Sequence, residues 1–226
     1  MNIIENAIKQ GRTTLSEYES KQILSSYQIP VSRDILVHDA KDLFSACKEI
    51  GYPVVLKGCS SDISHKTEGG LLRIDIRNDE ESENTFNDIM YKMDGLERAV
   101  LVQEMVEGKR ELVVGLIRDA QFGPCVMFGL GGIFTEILKD TVFRIAPLER
   151  QDAQEMMHEI KGKGILESVR GLPPADLDSL ADILIAVGRI GIENDTVKEI
   201  DINPIIISGT KPVAVDALVI LETASL

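Results

Sequence analysis

The chain has 226 residues, 44% of them hydrophobic, with 24 basic against 37 acidic side chains and a net charge of −13. It is long enough to bury a real core, as one large domain or two small lobes, and its acidity gives no reason to expect nucleic acid or an anionic membrane as a partner. Cys47, Cys59 and Cys125 show no C-x-x-C spacing, which argues against a disulfide framework or a zinc site and fits a reducing compartment; Met1 to Lys9 does not read as a secretory leader, and no apolar run approaches the roughly 18 residues of a membrane span, so a soluble cytoplasmic protein is expected.

In chain order, Ser16-Glu17-Tyr18-Glu19 reads as a capping box that opens a helix over 16–27, stopped by Pro30. A strand over 31–37 follows, then a helix capped by Asp39 and ended by Gly51, with Leu43, Phe44, Cys47 and Ile50 on one face. The next predicted elements are a strand ending at Lys57, a strand over 71–76, a helix from 78 or 79 to 93 and a strand over 99–105. Three β-rich runs, 110–118, 124–129 and 142–146, are separated by Gly/Pro/Asp turns and suggest an antiparallel meander. Helices over 149–161 and 176–191 come next, and the chain closes with strands over 197–202, 205–207 and 212–221. This order gives an α+β protein of two lobes, with a hinge expected near Gln103 to Gly108, and hinged lobes commonly bind a ligand between them.

Two segments carry chemistry. In the first, Pro53-Val54-Val55-Leu56-Lys57 runs into the polar loop Gly58 to Gly70, which contains His65-Lys66-Thr67-Glu68. A lysine anchored by a buried strand is a fixed cation for phosphate, and a Ser/Thr/Gly loop can turn N–H groups toward an anion. A histidine there could carry a phosphoryl group, because imidazole is neutral and nucleophilic near pH 7; the alternative is an incidental histidine in a surface loop.

The second is Glu199-Ile200-Asp201-Ile202-Asn203-Pro204, with Val215-Asp216-Ala217 returning across a hairpin. Side chains alternate along a strand, so Glu199, Asp201 and Asn203 share one face while Ile200 and Ile202 turn to the core. Those groups, with Asp216 opposite, suit a hard divalent ion that completes its shell with water and phosphate. The alternative is an exposed polar face of an edge hairpin, against which stands the cost of setting unpaired carboxylates among isoleucines.

Weaker signals lie between. Phe128-Gly129-Leu130-Gly131-Gly132 reads as a close-approach loop or a plain turn. Glu104 and Glu111 could accept from an adenine amine or from ribose hydroxyls. Arg144 alternates with apolar neighbours in Val142-Phe143-Arg144-Ile145, so its guanidinium could face a cleft and grip phosphate, or lie in a surface salt bridge. His38 and His158 are assigned no function.

Taken in order, these blocks, together with Tyr52-Pro53, Gln121-Phe122-Gly123-Pro124 and Phe143-Arg144-Ile145-Ala146-Pro147, resemble the ATP-grasp fold. The closer resemblance is to the β subunit of ADP-forming (NDP-forming) acetyl-CoA or acyl-CoA synthetases, relatives of succinyl-CoA synthetase β. The resemblance covers nearly the whole chain. It implies one ATP-grasp domain over 1–226, with subdomain 1 at about 24–101 and subdomain 2 at about 1–23 plus 102–226, and a nucleotide between two α+β lobes. It places ATP or ADP at Lys57, Gln103, Glu104, Met105, Val106, Glu111 and Gly131, and magnesium at Asn203 and Asp216. It gives catalytic roles to His65, Asp201 and Arg144, with His65 as a phosphoryl carrier oriented by Asp201. The implied reaction is acyl-CoA plus ADP and phosphate giving the acid, CoA and ATP through phosphohistidine, acetyl being the default acyl group. A separate α subunit carrying the CoA-binding domain and a first phosphohistidine is implied as partner, in an α2β2 heterotetramer. The competing expectations are another ATP-grasp carboxylate ligase, which has no use for His65, and a non-catalytic nucleotide-sensing or assembly subunit.

Overall fold

The computed structural model describes residues 3–60, 69–93, 98–132, 140–168 and 171–222. Contacts divide the chain into two units, one formed by Met1–Leu15, Glu19–Val31 and Val106–Leu226, the other by Ser16–Tyr18 and Ser32–Met105.

The smaller unit is a four-stranded antiparallel sheet in the order β1-β4-β2-β3, built from β1 (Asp34–Val37), β2 (Val54–Cys59), β3 (Leu72–Ile76) and β4 (Ala99–Glu104). Two helices cover one face, α3 (Ala40–Ile50) and α4 (Asp79–Lys92). Each begins where the sequence offers a cap: Asp39 accepts from the Asp42 N–H at 2.8 Å and Asn78 from the Glu81 N–H at 2.9 Å. Leu43, Cys47, Phe86 and Ile89 of these helices pack on Val54, Leu56, Val100 and Val102. The alternate residues of β2 and β4, Cys59, Ala99 and Leu101, turn to the other face and meet Tyr18.

The larger unit holds a six-stranded sheet in the order β10-β8-β5-β6-β7, with β9 also on β8. Its strands are β5 (Glu111–Asp119), β6 (Gly123–Leu130), β7 (Thr141–Ile145), β8 (Val197–Ser208), β9 (Lys211–Ala214) and β10 (Leu218–Leu221). The helices are α1 (Ile3–Lys9), most of α2 (Glu17–Ser26), α5 (Arg150–Glu159) and α6 (Leu177–Glu193). Leu180, Leu184, Val187 and Ile190 of α6 share one core with Leu112, Val114, Leu116, Val126, Phe128, Ile200 and Ile202, so these strand residues define the helix-covered face. Residues between them in β5, β6 and β8 turn to the opposite face, which is helix-free among the described residues.

The α+β class and the β5–β6–β7 antiparallel meander agree with the sequence. The two units differ in extent from the expected subdomains. Leu24 and Ile29 belong to the core of the larger unit, whereas Ser16–Tyr18 and residues 102–105 count with the smaller, because Tyr18 packs on its sheet and β4 stays paired with β1 and β2 as far as Gln103 and Glu104. Helix α1 was not anticipated: seven residues with only Ile4 and Ala7 buried leave little periodicity to read. The strands expected at 197–202 and 205–207 are one twelve-residue strand, β8.

Candidate functional site

Strand β8 is irregular where its chemistry lies. Its pairing with β5 shifts between Leu112 and Val114, with Leu112 opposite Ile205 and Val114 opposite Ile202, so that Asn203 and Pro204 form a bulge joined by a cis peptide bond. On its other side β8 pairs with β9 up to Ile205 and with β10 from Asp201, and residues 215–217 bridge the gap between those two strands. The Val215 N–H donates to the Pro204 carbonyl at 3.1 Å. Asn203 and Asp216 therefore meet where two strands hand over to one another, Asp216 coming from a connecting segment rather than from the continuous strand expected over 212–221.

Glu199 and Asp201 lie on the helix-free face, as their alternation with buried Ile200 and Ile202 demands. Burial first, then the negative charges of Glu199 and Asp216, push the Asp201 carboxyl up to about 6. A cluster that resists its own ionisation in this way favours an added cation. An amide oxygen at Asn203 and a carboxylate at Asp216 are hard oxygen donors of the type magnesium takes. Among the described residues no group of three or more His, Cys, Asp and Glu side chains forms a metal cage, so a cation held there would complete its shell with phosphate and water.

The glycine loop closes over the same place. The Gly131 N–H donates to the Glu111 carbonyl at 2.9 Å, and the Gly132 N–H donates to Asn203 Oδ1 at 3.4 Å. A Cβ on Gly131 would stand 2.6 Å from the backbone of Leu112, and one on Gly132, whose φ is +61°, would stand 2.0 Å from Glu111 Oε2. Only glycine permits so close an approach. Glu111, Gly131, Asn203 and Asp216 are thus brought together within the larger unit.

In the smaller unit, Lys57 lies on the face of the sheet opposite α3 and α4, paired in register with Leu101, while Gln103 is paired with Val55 and Asp34. Lys57 and Gln103 are both buried. Lys57 Nζ donates to Glu17 Oε1 at 2.7 Å in a buried ion pair. Glu17 was read from the sequence only as part of a capping box, and its partnership joins positions 40 residues apart; no local pattern could have signalled it. The Glu104 carboxylate is engaged by Arg33, at 2.8 Å through the backbone N–H and 2.9 Å through Nε. His65 lies outside the described residues.

Arg144 is not among the groups the structure gathers. Its register partner on β6 is Val126, which belongs to the helix-covered core, and its guanidinium is bonded to Glu159 of α5. Counting alternation from Val142 left the facing undecided; pairing settles it, and Phe143 and Ile145 occupy the face where Arg144 was expected.

A family model described as an ATP-grasp domain matches residues 6–221. The chain is 46% identical to the β subunit of acetate–CoA ligase [ADP-forming] I of Pyrococcus furiosus, over 97% of this chain and 96% of that one. It is 39% identical to acetate–CoA ligase [ADP-forming] I of Archaeoglobus fulgidus over 90% of this chain but 30% of that longer one. Among solved structures, the dinucleotide-forming acetyl-coenzyme A synthetase 1 of Ca. Korarchaeum cryptofilum superposes with a TM-score of 0.93 at 40% identity, covering 97% of this chain and 98% of that one, in a complex with coenzyme A and Ca-AMPCP. The same protein with Mg-AMPPCP, its phosphohistidine segment pointing towards the nucleotide binding site, superposes with a TM-score of 0.86. No helix among the described residues is long and apolar enough to cross a membrane. The chain belongs to the ATP-grasp family and, within it, to the β subunits of ADP-forming acetate–CoA ligases, which work with a partner subunit.

Proposed function

We propose that this chain is the nucleotide-binding subunit of an ADP-forming acyl-CoA synthetase, with acetyl-CoA as the default substrate, making ATP from acyl-CoA, ADP and phosphate. The observation that carries the reading is the convergence of Asn203, Asp216, Glu111 and the Gly131–Gly132 loop at the β8 bulge. Hard oxygen donors beside a glycine loop that has no side chains to hold a ligand off the backbone are what a nucleotide phosphate with its cation needs.

In this reading Lys57, held by Glu17, faces the phosphates. Gln103 and the main chain of Glu104, Met105 and Val106 recognise adenine, and Glu111 accepts from the ribose hydroxyls. Magnesium, held by Asn203 and Asp216, supplies neutralisation of the charge that builds up as a phosphoryl group moves. The partner α subunit carries the CoA-binding domain and forms the acyl phosphate, releasing CoA, then the acid and its own phosphohistidine. His65 takes that phosphoryl group, one P–N bond forming as the other breaks, and passes it to the terminal phosphate oxygen of ADP, which regenerates neutral imidazole. Asp201 orients the His65 ring by accepting from its distal N–H. The stoichiometry proposed is α2β2.

The test is incubation of the purified chain with γ-labelled ATP and magnesium. An acid-labile, base-stable label absent from His65→Ala is expected. Normal ATP synthesis by His65→Ala mixed with the α subunit would show that the group passes directly from the partner. Turnover that depends on neither CoA nor phosphate would point to a carboxylate ligase instead, and nucleotide binding without turnover to a sensing subunit.

A further inference from the structure

The helix-free face of the larger sheet is acidic at one end and apolar at the other. Asp201 pairs with Gly115, Gly115 with Met127 and Met127 with Phe143, so these four residues form one row across β8, β5, β6 and β7. The adjacent row runs Glu199, Ile117, Cys125, Ile145. At its apolar end Ile117 is 45% exposed, Phe143 46% and Ile145 52%, and Phe122 in the β5–β6 turn is 60% exposed. Single exposed apolar residues are ordinary, whereas several contiguous on one strand surface mark an interaction site. No strand among the described residues pairs with the outer edge of β7, a situation that proteins usually relieve by covering or charging the edge.

We infer that this face, centred on Met127, Phe143 and Ile145 with Phe122 at its margin, is the docking surface for the partner subunit. The inference rests on the function proposed above. Two observations select the occupant. The first is continuity: Phe143 is three strands from Asp201, roughly 15 Å at the usual strand spacing, so a subunit seated on the apolar end places its phosphoryl-bearing segment against the carboxylate and magnesium end without leaving the sheet. The second is what the relatives carry beyond the matched stretch. In the Archaeoglobus chain the matched part is 30% of the whole, whereas in the Pyrococcus β subunit it is nearly everything. The equivalent unit therefore operates beside a larger body, attached in one case and separate in the other, and a surface must exist to receive it. The Glu199 and Asp201 carboxylates at the other end of the rows favour a partner segment with basic side chains.

The experiment uses the full chain with the CoA-binding subunit of the same organism's enzyme. Phe143→Lys/Ile145→Lys is compared with wild type and with Tyr91→Lys, a change at a more exposed aromatic side chain on α4, by affinity capture and light scattering of the complex. The double variant is expected to weaken association at least about 30-fold, as loss of a central aromatic anchor does, while its melting temperature and magnesium-ADP binding stay at the wild-type values and Tyr91→Lys assembles normally. If the double variant does not fold, Phe122→Lys in the turn is read in its place, with the same direction expected. Assembly of the variant at wild-type affinity overturns the inference. So does a wild-type chain that dimerises alone through this face and becomes monomeric on substitution, because the occupant is then a second copy. Failure of the wild-type chain to bind magnesium-ADP removes the proposed function itself, whereas normal nucleotide binding with unaltered assembly of the variant removes only the docking surface.

Discussion

Glu17 and Lys57 form a 2.7 Å ion pair whose two side chains are almost wholly removed from water. Stripping one member from a buried pair typically costs about 3–5 kcal/mol, because the remaining charge loses its principal counter-ion. Lys57→Met should therefore destabilise the chain by roughly 3 kcal/mol and abolish ADP binding. Glu17→Leu/Lys57→Met should recover much of the stability, since two apolar groups can replace a buried pair at little cost, without recovering the binding. Denaturant melts and titration calorimetry separate the two effects. Wild-type ADP affinity in Lys57→Met would remove Lys57 from the nucleotide site.

Much of this arrangement is visible in the sequence because it depends on short-range rules. Glu199, Asp201 and Asn203 fall on one face by alternation, and the caps Asp39 and Asn78 are residues that accept from N–H groups three positions on. What escaped depends on long-range pairing. Arg144 sits in a strand too short and too evenly apolar to declare its buried side, and only the register with Val126 does so. The Glu17–Lys57 pair and the boundary residues 24–31 are decided by packing between segments far apart in the chain. Asp216 lies between β9 and β10 rather than within one strand, because the handover between those strands breaks an apolar run that reads as continuous.

The raised Asp201 carboxyl makes stability depend on pH. Its folded value is about 6 against an ordinary 3.8, so between these values the folded chain holds a proton that the unfolded chain has released. The neutral form's advantage is therefore complete below about pH 4 and is lost as pH rises through 6. Without magnesium, Asp201→Asn should be more stable than wild type at pH 8, by at most about 3 kcal/mol, with the gap closing toward pH 4. Thermal melts at both pH values check this, and a variant less stable at pH 8 would contradict the assignment.

Gly131 admits no side chain. A methyl group there would stand 2.6 Å from the Leu112 carbonyl oxygen and carbon, and neither belongs to a flexible side chain that could move aside. Gly131→Ala should lower stability by about 1–3 kcal/mol through the forced backbone shift, and weaken magnesium-ADP binding because the Gly132 N–H is carried away from Asn203. Gly123→Ala makes a useful comparison: its Cβ meets nothing within 4 Å although φ is +74°, so it should cost stability while nucleotide affinity is retained.

Asp216 and Arg144 differ in what their loss should do. Asp216→Ala removes a carboxylate set against the Asn203 bulge and should abolish magnesium-dependent phosphoryl transfer. Because it also relieves repulsion on Asp201, it should leave the fold intact or slightly stabilised. Arg144 is bonded to Glu159 on the helix-covered face, and a partly exposed ion pair of this kind contributes about 0–1 kcal/mol. Arg144→Ala should thus keep turnover within a few-fold of wild type and shift the melting temperature only slightly. Steady-state assays of both variants with the partner subunit, across a magnesium titration, decide the matter. Near-normal turnover in Asp216→Ala would end the metal assignment, and a collapse of kcat in Arg144→Ala would mean that its guanidinium reaches the phosphates after all.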